Sequence, residues 1–229
     1  MKTKVLLAVT LLAGLATSAQ AGLITGTKHD LSSSNASATS IKSSSQNQTC
    51  VFCHAPHNAV TAKLLWNRSF VSGSTMKVYT SYNTKAMRDL MTDTGANVTL
   101  KNDSTSLLCL SCHSLTTSAA IMAATTGAPT DSGQTGTGLA TTGGMSDLTK
   151  DHPVGIPYNL AVGTGIKAVA DVTNTTFTAT EGGLRLFKSS ISDTTMECAS
   201  CHSVHSNDNG KFLAKANNNS NLCKTCHIK

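Results

Sequence analysis

The chain has 229 residues, of which 39% are hydrophobic, 13% charged and only 4% aromatic. This length allows one large domain or two small ones, and the scarcity of aromatic residues argues against a conventional side-chain core. Taken alone, the formal net charge of +6 would allow a polyanionic partner such as a nucleic acid or an anionic membrane surface.

Residues 1–21 have the pattern of a secretory signal peptide. A short basic start (residues 1–4) precedes an apolar run (residues 5–16), and the Ala-Gln-Ala sequence of residues 19–21 fits the cleavage rule. The apolar run is too short to span a bilayer comfortably. We therefore expect a secreted protein that begins at Gly22 and has no membrane anchor, located outside the cell or in the periplasm.

Four Cys-X-X-Cys-His motifs use every cysteine of the chain; they occupy residues 50–54, 109–113, 198–202 and 223–227. This spacing is the attachment signature of c-type haem, in which both cysteines form thioethers with one porphyrin and the histidine becomes a proximal iron ligand. The motifs predict four haem c groups. The attachment residues are Cys50, Cys53, Cys109, Cys112, Cys198, Cys201, Cys223 and Cys226.

Two other uses of CxxC pairs were considered, namely Cys₄ zinc sites and disulfide bonds in an exported protein. Neither requires a histidine after the second cysteine, yet all four pairs have one. With 8 histidines in 229 residues, the chance of this is roughly one in a million, which favours haem.

The histidine count matches the number of axial positions, because four irons have eight and the chain has 8 histidines. The motifs supply the proximal ligands His54, His113, His202 and His227. We expect the others to be distal ligands, namely His29, His57, His152 and His205. A methionine could replace a distal histidine, but none occupies matching positions in both halves, so we interpret the methionines as packing residues.

The order of these ligands is repeated along the chain. Each half reads His, then CxxCHxxH, then Leu-CxxCH, which suggests a first di-haem half (residues 22–115) and a second (residues 146–229). Residues 116–145 are rich in Ala, Thr and Gly and are interpreted as a connector. Residues 173–187 alternate Thr with apolar residues, which suggests a short hairpin turning at residues 182–183.

The expected fold is that of a multihaem c-type cytochrome, mostly coil, with short α-helices at the CxxCH segments and minor β structure. The haems are expected to form its core, and Trp66, the only tryptophan, to pack against one of them.

The CHxxH arrangement restricts which iron each distal histidine can reach. On a helical turn, residues i and i+3 lie on one face, so His57 should point roughly where His54 points. It cannot easily reach the opposite side of the same iron and should ligate a neighbouring haem, as should His205. Such ligation would hold two haems side by side, as rapid electron hopping requires.

The cofactors also change the charge of the protein. Loss of Lys2 and Lys4 with the signal peptide leaves 16 basic and 12 acidic residues, a net +4. With ionised propionates, four haems bring the mature protein near neutrality when oxidised and to about −4 when reduced. We therefore expect no nucleic-acid partner.

Several segments resemble extracellular tetrahaem cytochromes of metal-reducing bacteria, of the OmcE type. They are the CVFCHAPH sequence of residues 50–57, the LWNR sequence of residues 65–68, the HD and DHP elements at residues 29–30 and 151–153, and the paired motifs of residues 198–205 and 222–227. The resemblance covers haem-binding positions in both halves but not the connector. It implies subunits that polymerise into conductive filaments, in which one distal histidine comes from a neighbouring subunit, and His29 is the implied donor.

Three functions remain open. The first is a structural electron conduit, a non-enzymatic subunit of a homopolymer that exchanges electrons with other multihaem cytochromes or extracellular acceptors. The second is a monomeric periplasmic electron shuttle. The third is a reductase of nitrogen or sulfur oxyanions, which would need a haem with an open distal site, and the histidine count shows no sign of one.

Overall fold

The structure is a computed structural model. It describes residues 24–36, 41–55, 65–68, 76–79, 92–93, 98–114, 145, 147–160, 165–173 and 184–228. Four predicted features lie outside the described residues and stay untested. They are the signal peptide, the distal ligand His57, the turn at residues 182–183 and almost all of the connector.

All four CxxCH motifs lie on short helical segments, as the sequence predicted. The first begins a 3-10 helix, Cys50–Phe52. The other three lie on helices α1 (Ser106–His113), α3 (Cys198–Cys201) and α4 (Asn221–Cys226). The further helical segments are α2 (Val169–Val172) and the 3-10 turns Tyr158–Leu160 and Asn218–Ser220. In each motif the helical turn brings both cysteines and the following histidine close together.

The β structure is minor and forms two small sheets. In the first, strand order is β2-β3-β1-β4, and only the β1–β4 pair is parallel. In the second, the order is β5-β7-β6 and all pairs are antiparallel. The strands are β1 (Lys77–Val78), β2 (Thr92–Asp93), β3 (Val98–Thr99), β4 (Asp147–Leu148), β5 (Ile156–Pro157), β6 (Phe187–Ser189) and β7 (Ser192–Met196).

The hairpin that the structure describes in the second half lies later in the chain than the predicted one. It joins β6 to β7 through residues 190–191. The alternating residues 173–187 contribute only their last one, Phe187, to a strand within the described part. Strand β7 leads directly into α3, so the hairpin positions the third motif.

A side-chain core exists beside the haem attachment segments, contrary to the expectation from aromatic content. Most of its side chains are aliphatic. Burying aliphatic surface stabilises a fold about as much per unit area as burying aromatic surface does. The buried members are Met76, Val78, Leu100, Leu107, Leu110, Leu148, Ile156, Tyr158, Val172, Leu184, Met196 and Cys226. Helix α1 supplies Leu107 and Leu110, so the core fixes the second motif.

Among the described residues, no helix combines the length and apolar character needed to cross a membrane.

Candidate functional site

The first motif is held by the strap at residues 65–68. His54 and Trp66 form an antiparallel bridge, and the Asn67 side chain donates a hydrogen bond to the Val51 carbonyl. The Trp66 ring meets the His54 ring edge-on, with centroids 5.9 Å apart. Trp66 Nε1 also donates to Ser111 Oγ on α1 (3.2 Å). The LWNR segment therefore orients a proximal histidine and ties the first motif to the second.

A buried carboxylate joins the second motif to the third. Glu197 lies immediately before α3 and is only 1% exposed. Its Oε2 accepts hydrogen bonds from Ser104 Oγ (2.7 Å), from the Ser106 backbone N–H (3.1 Å) and from Ser106 Oγ. Ser106 Oγ in turn accepts a bond from the Cys198 N–H (3.0 Å). A carboxylate at the start of α1 satisfies free N–H groups and suits the helix dipole.

This contact brings the two attachment segments together. The Cys109 and Cys198 thiols lie within hydrogen-bonding reach of each other. Two haems attached through these cysteines would therefore have neighbouring thioether edges.

The third and fourth motifs end in short backbone bridges. His202 pairs with Leu213 and His227 with Ile166, and the Lys167 N–H donates to the Cys226 carbonyl (2.8 Å). These bridges hold the last residue of each motif in extended conformation, so the histidine turns away from the axis of its helix.

Three proximal histidines each face one of the expected distal histidines. The ring centroids of His29 and His113 are 6.1 Å apart, and their planes are inclined by 79°. Those of His54 and His205 are 6.1 Å apart at 20°. Those of His152 and His227 are 6.3 Å apart at 82°.

These separations fit an iron between each pair. A histidine nitrogen lies about 2.0–2.1 Å from a bound metal and about 1.1 Å from its own ring centre. Two imidazoles on opposite sides of one iron should thus have centroids about 6.3 Å apart. The residues present therefore fit a bis-histidine haem at three of the four motifs.

The fourth proximal histidine is His202, and the remaining expected distal ligand, His57, lies outside the described residues. His202 Nδ1 donates to the Lys211 carbonyl (3.1 Å), and His152 Nδ1 donates to the Pro153 carbonyl (3.1 Å). A donating Nδ1–H leaves the Nε2 lone pair available for a metal and fixes the ring orientation.

The environment of His29 keeps its ring neutral. Burial, together with repulsion from His113, His202 and His205, lowers the pKa of His29 to about 4. Burial also lowers the pKa values of His113 and His205. A neutral imidazole is the form that binds iron. His29 Nδ1 is buried without a hydrogen-bond partner, which marks a polar site that the protein alone does not complete.

Contacts within the chain anchor His29 and the adjacent Asp30. The adjacent Asp30 is fully buried and accepts hydrogen bonds from the Gly26 N–H (2.8 Å) and the Ser32 N–H (3.1 Å). The ring itself packs on Phe212, with centroids 4.2 Å apart. The geometry thus places a candidate ligand for the His113 iron within the same chain, and the bridge between subunits that the resemblance implied stays a prediction.

The eight cysteines are free thiols. All eight lie in the described residues and none is in a disulfide. Among the described residues, no group of three or more His, Cys, Asp and Glu side chains is placed to hold a metal ion.

Arg68 is completely buried beside two of the attachment segments. Burial raises the pKa of Cys53 to about 12 and also raises that of Cys112, and in both cases the charge of Arg68 opposes the shift. The guanidinium therefore lies within electrostatic reach of both motifs. Its planar donors suit carboxylates, and a haem carries two propionates.

The sequence interpretation did not single out Glu197 or Phe212. Glu197 directly precedes the third motif, and a carboxylate at that position was a possible signal. Nothing in the sequence connects either residue with its partner, since Ser106 and His29 are remote in the chain.

Comparison with known families agrees with this site. Residues 193–229 match the family described as the doubled CXXCH motif, a segment that contains the third and fourth motifs. The match indicates a multihaem c-type cytochrome, with covalently bound haem c and a role in electron transfer. No curated protein shows significant sequence similarity to the chain.

Proposed function

We propose that this protein conducts electrons through four bis-histidine haems and does so as a subunit of an extracellular homopolymer. The observation that carries the proposal is the set of three histidine pairs with ring centroids 6.1–6.3 Å apart. Each pair combines the histidine of one CxxCH motif with a histidine outside the motifs.

Filled axial positions favour conduction over catalysis. When bound, haem iron accepts and releases single electrons as it alternates between the ferric and ferrous states. The paired histidines would hold such an iron from two sides and exclude substrates from it, and they would stabilise the ferric state relative to ligation by methionine. This set of ligands suits electron transfer at low potential without enzymatic activity.

The contacts between motifs support a continuous electron path. His54 belongs to the first half and His205 to the second, so their pairing at 6.1 Å links the halves. The hydrogen bonds of Glu197 link α1 to α3, and Trp66 links the first motif to α1. Attachment segments so connected would place their haems near one another.

The polymeric state rests on the resemblance to filament-forming cytochromes and on the near-neutral charge of the oxidised subunit. A head-to-tail contact that does not close on itself gives an open filament. If a neighbouring subunit donates a ligand, the three internal pairs leave the His202 iron as its target. His57 is the candidate, from the same chain or from the neighbour.

A monomeric shuttle is the second candidate, because the same histidine pairs would serve it. Negative-stain microscopy and size-exclusion chromatography of the purified mature protein distinguish the two. We expect linear polymers. A protein that stays monomeric at high concentration would contradict the filament proposal and favour the shuttle.

The cofactor count is the first testable prediction. Because all eight cysteines lie in helical CxxCH segments and none is in a disulfide, intact mass spectrometry under denaturing conditions should show a chain beginning at Gly22 plus four haems. Three or fewer haems on fully matured protein would contradict the ligand assignment.

The second prediction concerns the spin states. All four irons should be six-coordinate and low-spin in electron paramagnetic resonance (EPR) spectra of the oxidised protein. Two near-parallel imidazole planes split the energies of two iron d orbitals. Perpendicular planes leave those two energies nearly equal. The His54–His205 iron (20°) should therefore give an ordinary rhombic signal, and the irons of the two pairs near 80° highly anisotropic ones.

A stoichiometric high-spin signal in the native protein would contradict complete axial ligation and would favour a reductase. Four rhombic signals without a highly anisotropic component would contradict the perpendicular ring pairs.

A further inference from the structure

Glu197 is a buried acid whose hydrogen bonds are concentrated on one oxygen. Its Oε2 accepts three bonds from Ser104 and Ser106, and the Thr105 N–H also donates to the carboxylate, whereas its Oε1 is buried without a partner. A buried carboxylate oxygen without a donor is costly when ionised and favourable when it carries a proton. Burial accordingly raises the pKa of Glu197, and the hydrogen bonds from Ser106 and Ser104 oppose this shift.

Hydroxyl, amide and thiol groups surround Glu197, and haems attached through Cys109 and Cys198 would add charge beside them. The groups that face it are the hydroxyls of Ser104 and Ser106 from the α1 side, and Cys198 and Cys109, whose sulfurs respond to its charge. Both sulfurs become neutral thioethers on haem attachment. Asp103, which precedes Ser104, is directed elsewhere, and its carboxylate accepts hydrogen bonds from Ser190. Strand β7 contributes the neutral Thr195 and Met196.

We propose that Glu197 is a redox-linked proton site of the two haems attached through Cys109 and Cys198. When one electron from a low-potential donor reduces either iron from ferric to ferrous, Glu197 binds one proton from water at Oε1. Reoxidation releases the electron to the acceptor and the proton to water, and no bond to the haem forms or breaks. This inference rests on the proposed electron-transfer function and adds a proton to it.

The direction of the effect follows from charge. Reduction removes one positive charge from the iron, which destabilises a nearby carboxylate anion and favours its protonation. The reduction potential of these haems should thus be constant at pH values below the pKa that Glu197 has in the oxidised protein. Above that pKa it should fall as pH rises. It should become constant again above the pKa in the reduced protein. Within that window the equilibrium constant changes at most tenfold per pH unit, about 59 mV for a one-electron couple.

The test compares Glu197→Gln with the native protein and with Asp103→Asn, which neutralises a half-buried acid of the same loop. Each protein is titrated potentiometrically at a series of pH values after its haem count has been checked by mass. In Glu197→Gln, the potentials of one or two haems should lose their pH-dependent window and stay at the native low-pH value. In Asp103→Asn, the native dependence should remain.

Reduced-minus-oxidised infrared difference spectra provide a direct readout. The native protein should gain a carboxylic-acid band on reduction, and Glu197→Gln should lack it. Equal pH dependence in both proteins, or no such band in the native protein, would overturn the proton site and leave the electron-transfer proposal intact. A native chain without haem would overturn both.

A second variant tests the proposal if Glu197→Gln binds too little haem to be titrated. Ser104→Ala removes one donor to the Glu197 anion, so the pH-dependent window should move to higher pH. An unmoved window would contradict the proposal.

Discussion

Replacing His205 with alanine is expected to convert one of the four irons from low-spin to high-spin, and this iron is the one attached through Cys50 and Cys53. The reason is that the His205 ring faces His54 at 6.1 Å, with the two planes inclined by only 20°. The lost ligand comes from the CHxxH segment of a different motif. Resonance Raman and EPR spectra of the oxidised variant should show one high-spin haem among four, and added imidazole should restore the low-spin form.

The matched control is Val204→Ala. Val204 is adjacent in sequence and 40% exposed, so this variant should keep four low-spin irons. His57 is expected to serve a different iron, so the double variant His57→Ala/His205→Ala should show two high-spin haems. An unchanged low-spin spectrum in His205→Ala would contradict its role as a ligand.

Replacing His29 with alanine should open the iron attached through Cys109 and Cys112, and the effect should appear in isolated monomers. His29 lies 6.1 Å from His113 of the same chain, and its ring packs on Phe212. A ligand supplied within the chain acts independently of protein concentration. EPR spectra of dilute and concentrated samples should therefore show the same single high-spin haem, while Lys28→Ala, a change at an exposed neighbour, should leave all irons low-spin.

The bridging role implied by the resemblance makes the opposite prediction for His29. In that case the native protein at low concentration would show a vacant distal site, which would fill as filaments form. Internal ligation by His29 would be contradicted by a high-spin signal in the dilute native protein that disappears on polymerisation. In that case the signal should return in His29→Ala.

The sequence predicted the local features of the site well, because they depend on short spacings. The CxxCH motifs required both cysteines and the histidine to lie within about one turn, and the structure places all four on helical segments. The structure brings His205 to His54, as expected, but the helical i, i+3 argument is not the reason, because His202 is in extended conformation after the end of α3.

The sequence could not specify which remote residues meet. The Glu197 bonds to Ser104 and Ser106 depend on how the β7 hairpin packs against α1, which no local pattern encodes. The anchoring of His29 was missed for a similar reason, because the polar residues around it form hydrogen bonds to Asp30 rather than to solvent. The side-chain core was underestimated because composition counts aromatic residues but not how aliphatic ones cluster.

The central claim, that one histidine of each pair crosses to the iron of a different segment, is tested most directly by an experimental structure of the mature, haem-loaded protein. We expect it to show His54 and His205 on one iron, His113 and His29 on a second, and His227 and His152 on a third. A methionine or water in any of these distal positions would contradict the account, as would His205 bound to the iron of its own motif.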